Sequence, residues 1–143
     1  MYIKLGNYSD FKSCIYSVYS PTSASDIREV ESFYTALTNS VRPIPLAVMT
    51  IIMGDFNATL MKNTDSPFTP NSKQNRNGPL LEDFLEATDF KAVNTLFMKS
   101  TFNKLFSFYG PNCRRVTIDY ILLRSKWVRS AQDCTAKNPV TIA

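Results

Sequence analysis

Leu46-Ala47-Val48-Met49-Thr50-Ile51-Ile52-Met53-Gly54-Asp55-Phe56-Asn57 is the stretch on which the fold turns. Leu46 to Met53 is apolar except for Thr50 and rich in β-branched side chains, and it lies between the pair Pro43/Pro45 and Gly54. The run is short for a helix, so it reads as a strand buried on both faces. Gly54 to Asn57 then sits just past the strand end, where α/β sheets place their ligands.

Working outward, Phe11 to Ser20 alternates apolar residues with serine and reads as a second strand, closed by Pro21 and Thr22. Asp26 with Glu29 resembles a capping box, and Ile27, Val30, Phe33, Tyr34, Leu37 and Val41 recur at helical spacing. The spacing predicts an amphipathic helix over 26–39, stopped by Pro43 and Pro45. Residues 58–79 read as a loop long enough to be functional. Leu80, Leu81, Phe84 and Leu85 mark a short helix that fades near Asp89. Short strands are predicted at Lys91–Asn94, Thr101–Phe102 and Phe106–Tyr109, a turn at Gly110-Pro111-Asn112, and a strand from Val116 to Leu123. Residues 124–137 are basic and weakly patterned. The whole reads as one α/β domain, without repeat or linker.

Composition narrows the chemistry. The 143 residues contain no histidine. That excludes Ser-His-Asp and Cys-His nucleophiles and histidine-ligated zinc, and leaves carboxylates, Tyr, Lys or metal-bound water for acid–base work. Three cysteines without a CxxC pair argue against a disulfide framework or zinc knuckle. No apolar run reaches the roughly 18 residues of a membrane span, and the first 20 residues lack a signal-peptide pattern, so an intracellular protein is expected. The formal charge is +4, and it is uneven: from Lys104 onward seven basic residues face only Asp119 and Asp133. Such a half suits a phosphate-rich partner, although basic surface is common on any domain.

Three residues stand out. Asp55, after Gly54 and two residues before Asn57, suits phosphoryl chemistry: the carboxylate orients or deprotonates water or helps hold a metal, and the amide steadies phosphate oxygens. The same residues also make an ordinary turn. Asp119 interrupts the apolar Val116–Leu123 run, which makes it either an orienter of a neighbouring acid or base, or an outward-facing strand residue. Tyr19 ends its strand, where its hydroxyl reaches a phosphate or simply half-buries.

Gly54-Asp55-Phe56-Asn57, preceded by Val18-Tyr19-Ser20-Pro21 and followed by Ile118-Asp119-Tyr120-Ile121-Leu122, resembles the endonuclease/exonuclease/phosphatase superfamily in motif order and spacing. The likeness is nearest to non-LTR retrotransposon endonuclease domains and craniofacial-development-protein-2-like proteins, and runs from about Ile3 to Ala136. It takes in Asn77-Gly78 before a Leu/Phe helix, Asn94-Thr95 and Trp127. The resemblance implies a four-layer α/β sandwich of the DNase I-like type and Mg²⁺-dependent phosphodiester cleavage. It makes Asp55 the water-positioning residue, and gives Asn57 a contact to phosphate and metal shell. Tyr19 becomes a phosphate donor, and Asp119 the orienter of a catalytic histidine. Asp55 and Asn57 are the expected metal-side residues, and Asn77, Arg114 and Arg115 the further nucleic-acid contacts. Nucleic acid, most naturally DNA, is the implied partner, and the nucleus the location for a working retrotransposon enzyme. The family's upstream Asn and Glu and its closing Ser-Asp-His have no counterpart here, so residues 1–143 are expected to be a truncated piece of that domain, weak or inactive alone. A phosphatase or sphingomyelinase of the same superfamily and a non-catalytic nucleic-acid-binding remnant are the alternatives.

Overall fold

The structure is a computed structural model and describes residues 2–8, 11–101, 105–112 and 114–135. The chain enters through β1 (Tyr2–Tyr8) and β2 (Phe11–Tyr19), crosses by α1 (Ile27–Val41) and returns as β3 (Met49–Asp55). After a long loop come α2 (Gly78–Thr88), β4 (Phe90–Ala92), the short hairpin β5 (Phe108–Tyr109) and β6 (Arg115–Val116), and β7 (Asp119–Arg124). Single 3₁₀ segments follow β4 at Val93–Thr95 and β7 at Ser125–Ser130.

One five-stranded sheet has the order β1-β2-β3-β7-β4, and β5 and β6 pair separately. β2 and β3 are parallel, joined by α1 as the crossover, and the other pairings are antiparallel. Asp26 caps α1 by accepting the Arg28 N–H at 2.9 Å. Val30, Tyr34, Leu37 and Val41 form the stripe that α1 buries against the sheet. Together with Ile52, Phe56, Leu81, Phe84, Tyr120 and Leu122 they make one apolar core between the helices and a single face of the sheet.

α1 runs to Val41, two residues beyond the expected stop, because Arg42 still caps it and the prolines act only from position 43. Its end is held by a buried cation. Arg124 donates from Nη2 to the Val41 carbonyl at 2.6 Å and from Nη1 to Ile44 at 2.7 Å, and its guanidinium lies over the Phe90 ring. Carbonyls at a helix C-terminus carry partial negative charge, which suits a guanidinium. Arg124 is thereby removed from the basic surface that the sequence pattern assigned to this half of the chain.

Other expectations are corrected in turn. β3 starts at Met49, since Val48 N–H turns back to the Pro45 carbonyl and leaves Leu46 exposed. Only one of its faces is sealed: Thr50 and Ile52 are buried, while Ile51 and Met53 lie on a face open in part. The Val116–Leu123 strand is broken at Thr117-Ile118, because Asn71 captures both the N–H and the C=O of Thr117. The strand at Lys91–Asn94 ends at Ala92, where Thr95 Oγ donates to the Ala92 carbonyl and closes a 3₁₀ turn. The strand at Phe106–Tyr109 shortens to Phe108–Tyr109; Thr101 is a bend, and Phe102 lies outside the described residues.

Gly54 is the residue that lets β2 and β3 pair this closely. It has φ 148°, and a Cβ there would stand 1.9 Å from the Val18 carbonyl oxygen. Gly54→Ala should therefore cost about 3 kcal/mol or more, read as a lowered urea midpoint, since backbone strain and a backbone clash combine. A midpoint equal to wild type would mean that β2 and β3 are not held at this separation.

Candidate active site

The site is a row across three neighbouring strands. In the β2–β3 ladder Tyr19 is the partner of Asp55, and in the β3–β7 ladder Asp55 is the partner of Asp119. Directly paired residues share a face, and adjacent strands lie about 4.8 Å apart, so the three side chains emerge side by side. This is the face away from the helices. Behind the row on that face come Ser17, Met53 and Ile121, which are themselves in register.

Local chemistry aims the row outward. Phe56 is fully buried and meets the Tyr120 ring, which anchors the strand end and throws Asp55 and Asn57 to the other side. Asp55 Oδ1 accepts the Asn57 N–H at 2.8 Å, closing an Asx turn in which Asn57 takes φ 45°, a left-handed conformation that asparagine tolerates. The turn that the motif also allowed is thus present. Asn57 Nδ2 donates to the Ser20 carbonyl at 2.8 Å, and Ser20 N–H donates to the Asp55 carbonyl at 2.8 Å, so the end of β2 is stitched to the same turn. Tyr19 is 70% exposed, available to a ligand rather than packed. Asp119 is exposed on its strand, the outward-facing alternative of the sequence reading, and that outward face is the one carrying Asp55.

Partial burial pushes the Asp55 carboxyl up from its ordinary value; the Asn57 N–H opposes this, and the Asp119 charge adds to it. A raised carboxyl is the better proton acceptor. Of the two described cysteines, Cys14 is buried, and burial pushes the Cys134 thiol up, away from a ready thiolate.

Asn75 and Ser107 are positioning groups that the sequence did not single out, and Asn77 joins them. Asn75 and Asn77 both donate to the Asn57 carbonyl, at 2.8 and 3.1 Å, and Asn75 Oδ1 also accepts the Thr59 and Gly78 N–H groups. Asn77, expected to contact phosphate, is fully buried and donates to the Asn57 and Pro21 carbonyls. Ser107 Oγ accepts the N–H of both Ile118 and Asp119 at 3.1 Å. In sequence these residues look like ordinary loop formers, and spacing alone gives no sign that the amides turn inward. Arg114 and Arg115 are exposed on the β5–β6 hairpin, with Arg115 over the Tyr109 ring, and that hairpin is rooted beside Asp119 through Ser107.

As metal donors, Asp55 and Asp119 are adjacent carboxylates and Asn57 adds an amide. Hard oxygen donors of this kind suit a hard divalent cation only if it keeps much of its water shell. Among the described residues no group of three or more His, Cys, Asp or Glu is arranged to hold a metal, and no helix is long and apolar enough to cross a membrane.

Against solved structures, the endonuclease domain of TRAS1, a telomere-specific non-LTR retrotransposon, superposes with a TM-score of 0.58 at 15% identity, over 90% of this chain and 52% of that one. The chain has a DNase I-like endonuclease fold. Craniofacial development protein 2 of Tragulus javanicus is 29% identical over 93% of this chain and 25% of the relative, and that of Bos taurus is 29% identical over 93% and 24%. The chain thus spans about a quarter of the length of the curated relatives it matches, and about half of the solved domain. No family model matches it. Fold and sequence likeness together support the endonuclease-like resemblance read from the three motifs. Within the DNase I-like fold, those motifs are the ones that the β2–β3–β7 register lines up.

A raised Asp55 means that the folded state holds its proton more tightly than the unfolded chain, so stability falls as pH rises through the Asp55 midpoint. Asp55→Asn, which still accepts the Asn57 N–H, should melt higher than wild type at pH 7. The gain should be below about 1 kcal/mol for a group this open to solvent, and should shrink as pH falls to where the Asp55 carboxyl is protonated in the folded and the unfolded chain alike. Melting curves across pH test it; a variant less stable at pH 7 would mean that Asp55 is stabilised as a carboxylate.

Proposed function

We propose that this chain carries the phosphate-facing part of a retrotransposon-type endonuclease site that cleaves phosphodiesters with Mg²⁺. The Tyr19–Asp55–Asp119 row is the observation that carries the reading. Tyr19, exposed at the strand end, donates its hydroxyl to a non-bridging phosphate oxygen. Asn57, its amide nitrogen anchored on Ser20, stands beside the same phosphate. Asp55 orients the attacking water and accepts its proton, a role that its raised carboxyl favours. Asp55 and Asn57 would hold the metal, with Asp119 as the neighbouring carboxylate. A bound magnesium ion supplies stabilisation of the oxygen charge that develops during in-line attack. Asp119 has no histidine to orient, because the chain contains none, so cleavage by this chain alone is expected to be weak or absent.

Binding is the second part of the proposal. Phe108 and Tyr109 are exposed on the β5–β6 hairpin together with Arg114 and Arg115. Aromatic faces and guanidinium groups on one projecting element suit a nucleic-acid backbone and its bases. This surface does not depend on Asp55, so the non-catalytic binding reading shares it. A working enzyme of this kind would act in the nucleus, on DNA.

Supercoiled plasmid with Mg²⁺ tests both parts. Nicking should stay at background while the chain binds DNA in a salt-dependent manner, and binding should survive Asp55→Ala. Replacing both Arg114 and Arg115 by Ala should reduce the log–log salt slope by about 2, roughly 0.9 per phosphate contact. Nicking that is abolished by Asp55→Ala would overturn the inactivity and make the chain a complete catalyst. Loss of neither affinity nor salt slope in the double variant would remove the hairpin from the interface. Phosphate release from small esters without DNA binding would favour the phosphatase alternative.

A further inference from the structure

β7 has two edges near the site, and they are finished differently. One edge pairs with β3 as far as Asp119, opposite Asp55. The other pairs with β4 only at Leu122, Leu123 and Arg124, because β4 ends at Ala92 and the chain turns away through Val93–Thr95. Past that point the Ile121 N–H and the Asp119 C=O have lost their strand partner. Both are met by one side chain. Asn94 Oδ1 accepts the Ile121 N–H at 3.3 Å, and Asn94 Nδ2 donates to the Asp119 carbonyl at 3.0 Å.

An amide side chain presents the same donor–acceptor pair as a peptide group, and here it stands in for the missing strand residue. Its two contacts are placed on either side of Tyr120, so together they fix the backbone segment from Asp119 to Ile121. The opposite approach to the same segment is held by Asn71 on Thr117 and by Ser107 on the Ile118 and Asp119 N–H groups. Asn94 is the member of this set that touches Asp119 on its carbonyl side. It also lines the same groove as Asp119, Met53 and Ile121.

We propose that Asn94 is a positioning residue for Asp119: by completing the β7 ladder where β4 stops, it keeps the Asp119 carboxylate in the row beside Asp55. This goes beyond the function proposed above in assigning a role to a residue outside the three motifs. It rests on that reading only for the use made of the row, since the geometry of the row is measurable without any activity.

The test is the geometry of the row, followed by NMR in the full chain for wild type, Asn94→Ala and Asn94→Ser. In wild type the Asp55–Asp119 cross-strand nuclear Overhauser effect should be strong and the Asp119 Hα–Hβ couplings should report one χ1 rotamer. Asn94→Ala should weaken that effect and average the Asp119 couplings, while the Tyr19–Asp55 cross-strand contacts stay as in wild type. Asp119 couplings and an Asp55–Asp119 contact equal to wild type, with the Ile121 amide perturbed, would overturn the proposal and leave Asn94 as a filler of the sheet edge. Should Asn94→Ala fail to fold, Asn94→Ser, which keeps a smaller polar group at the edge, is read in the same way. Plasmid nicking enters none of these readouts, so failure of the endonuclease reading and failure of this one are separate results.

Discussion

The register of β3 between β2 and β7 is the constraint on which the rest depends. Side chains alternate faces with a period of two, so a slip of one residue in either ladder would send Tyr19 or Asp119 to the helix side of the sheet. Three features fix the register. Val18 and Gly54 approach so closely that a side chain at 54 has no room. Phe56 inserts into the core directly after the strand. Its N–H donates to the Ile118 carbonyl at 2.9 Å and extends the β3–β7 ladder past Asp55. Packing on the helix face thereby sets the chemistry on the opposite face.

Around this register the molecule uses side-chain amides where backbone ladders run out. Asn71, Asn75, Asn77 and Asn94 each bind main-chain groups of segments that lack a strand partner. A buried peptide group without a partner costs free energy comparable to a lost hydrogen bond, so the long loop 58–77 can pass close to the core only because such amides satisfy it. The loop is well built rather than idle: Thr59, Leu60, Thr69 and Asn71 are all buried in it. Asn71 also reaches the Tyr120 hydroxyl, which itself donates to Thr117 and accepts the Leu60 N–H. The Asp55 turn and the Asp119 strand are therefore braced by one polar layer.

Much of this was legible in the sequence, for physical reasons. The Leu46–Met53 run is continuously apolar, and the α1 stripe and the strand ending at Tyr19 are periodic over many residues, patterns that report burial directly. The three motifs carry the row because each lies at the end of such an element. The break at Thr117-Ile118 was not legible, since Asn71 lies 46 residues away and overrides an apolar pattern that locally favours strand. Burial of Arg124 was hidden for the same reason: its partners Val41 and Ile44 belong to the end of a distant helix. The half-open face of β3 was missed because an apolar run reads alike whether one or both faces are sealed. Asn77, expected among the nucleic-acid contacts, is fully buried and holds the Asn57 and Pro21 carbonyls, a placement that spacing does not carry.

Asp55 and Asp119 are directly opposed across β3 and β7, with Tyr19 in the same row. Cross-strand nuclear Overhauser effects between the backbone protons of Asp55 and Asp119, together with a scalar coupling across the hydrogen bond from Phe56 N–H to the Ile118 carbonyl, test this register most directly. Both should be observed in the isolated chain in solution. Contacts from Asp55 to Ile118 or Tyr120 in place of Asp119 would contradict it. They would mean a register slipped by one residue, with the two carboxylates on opposite faces of the sheet.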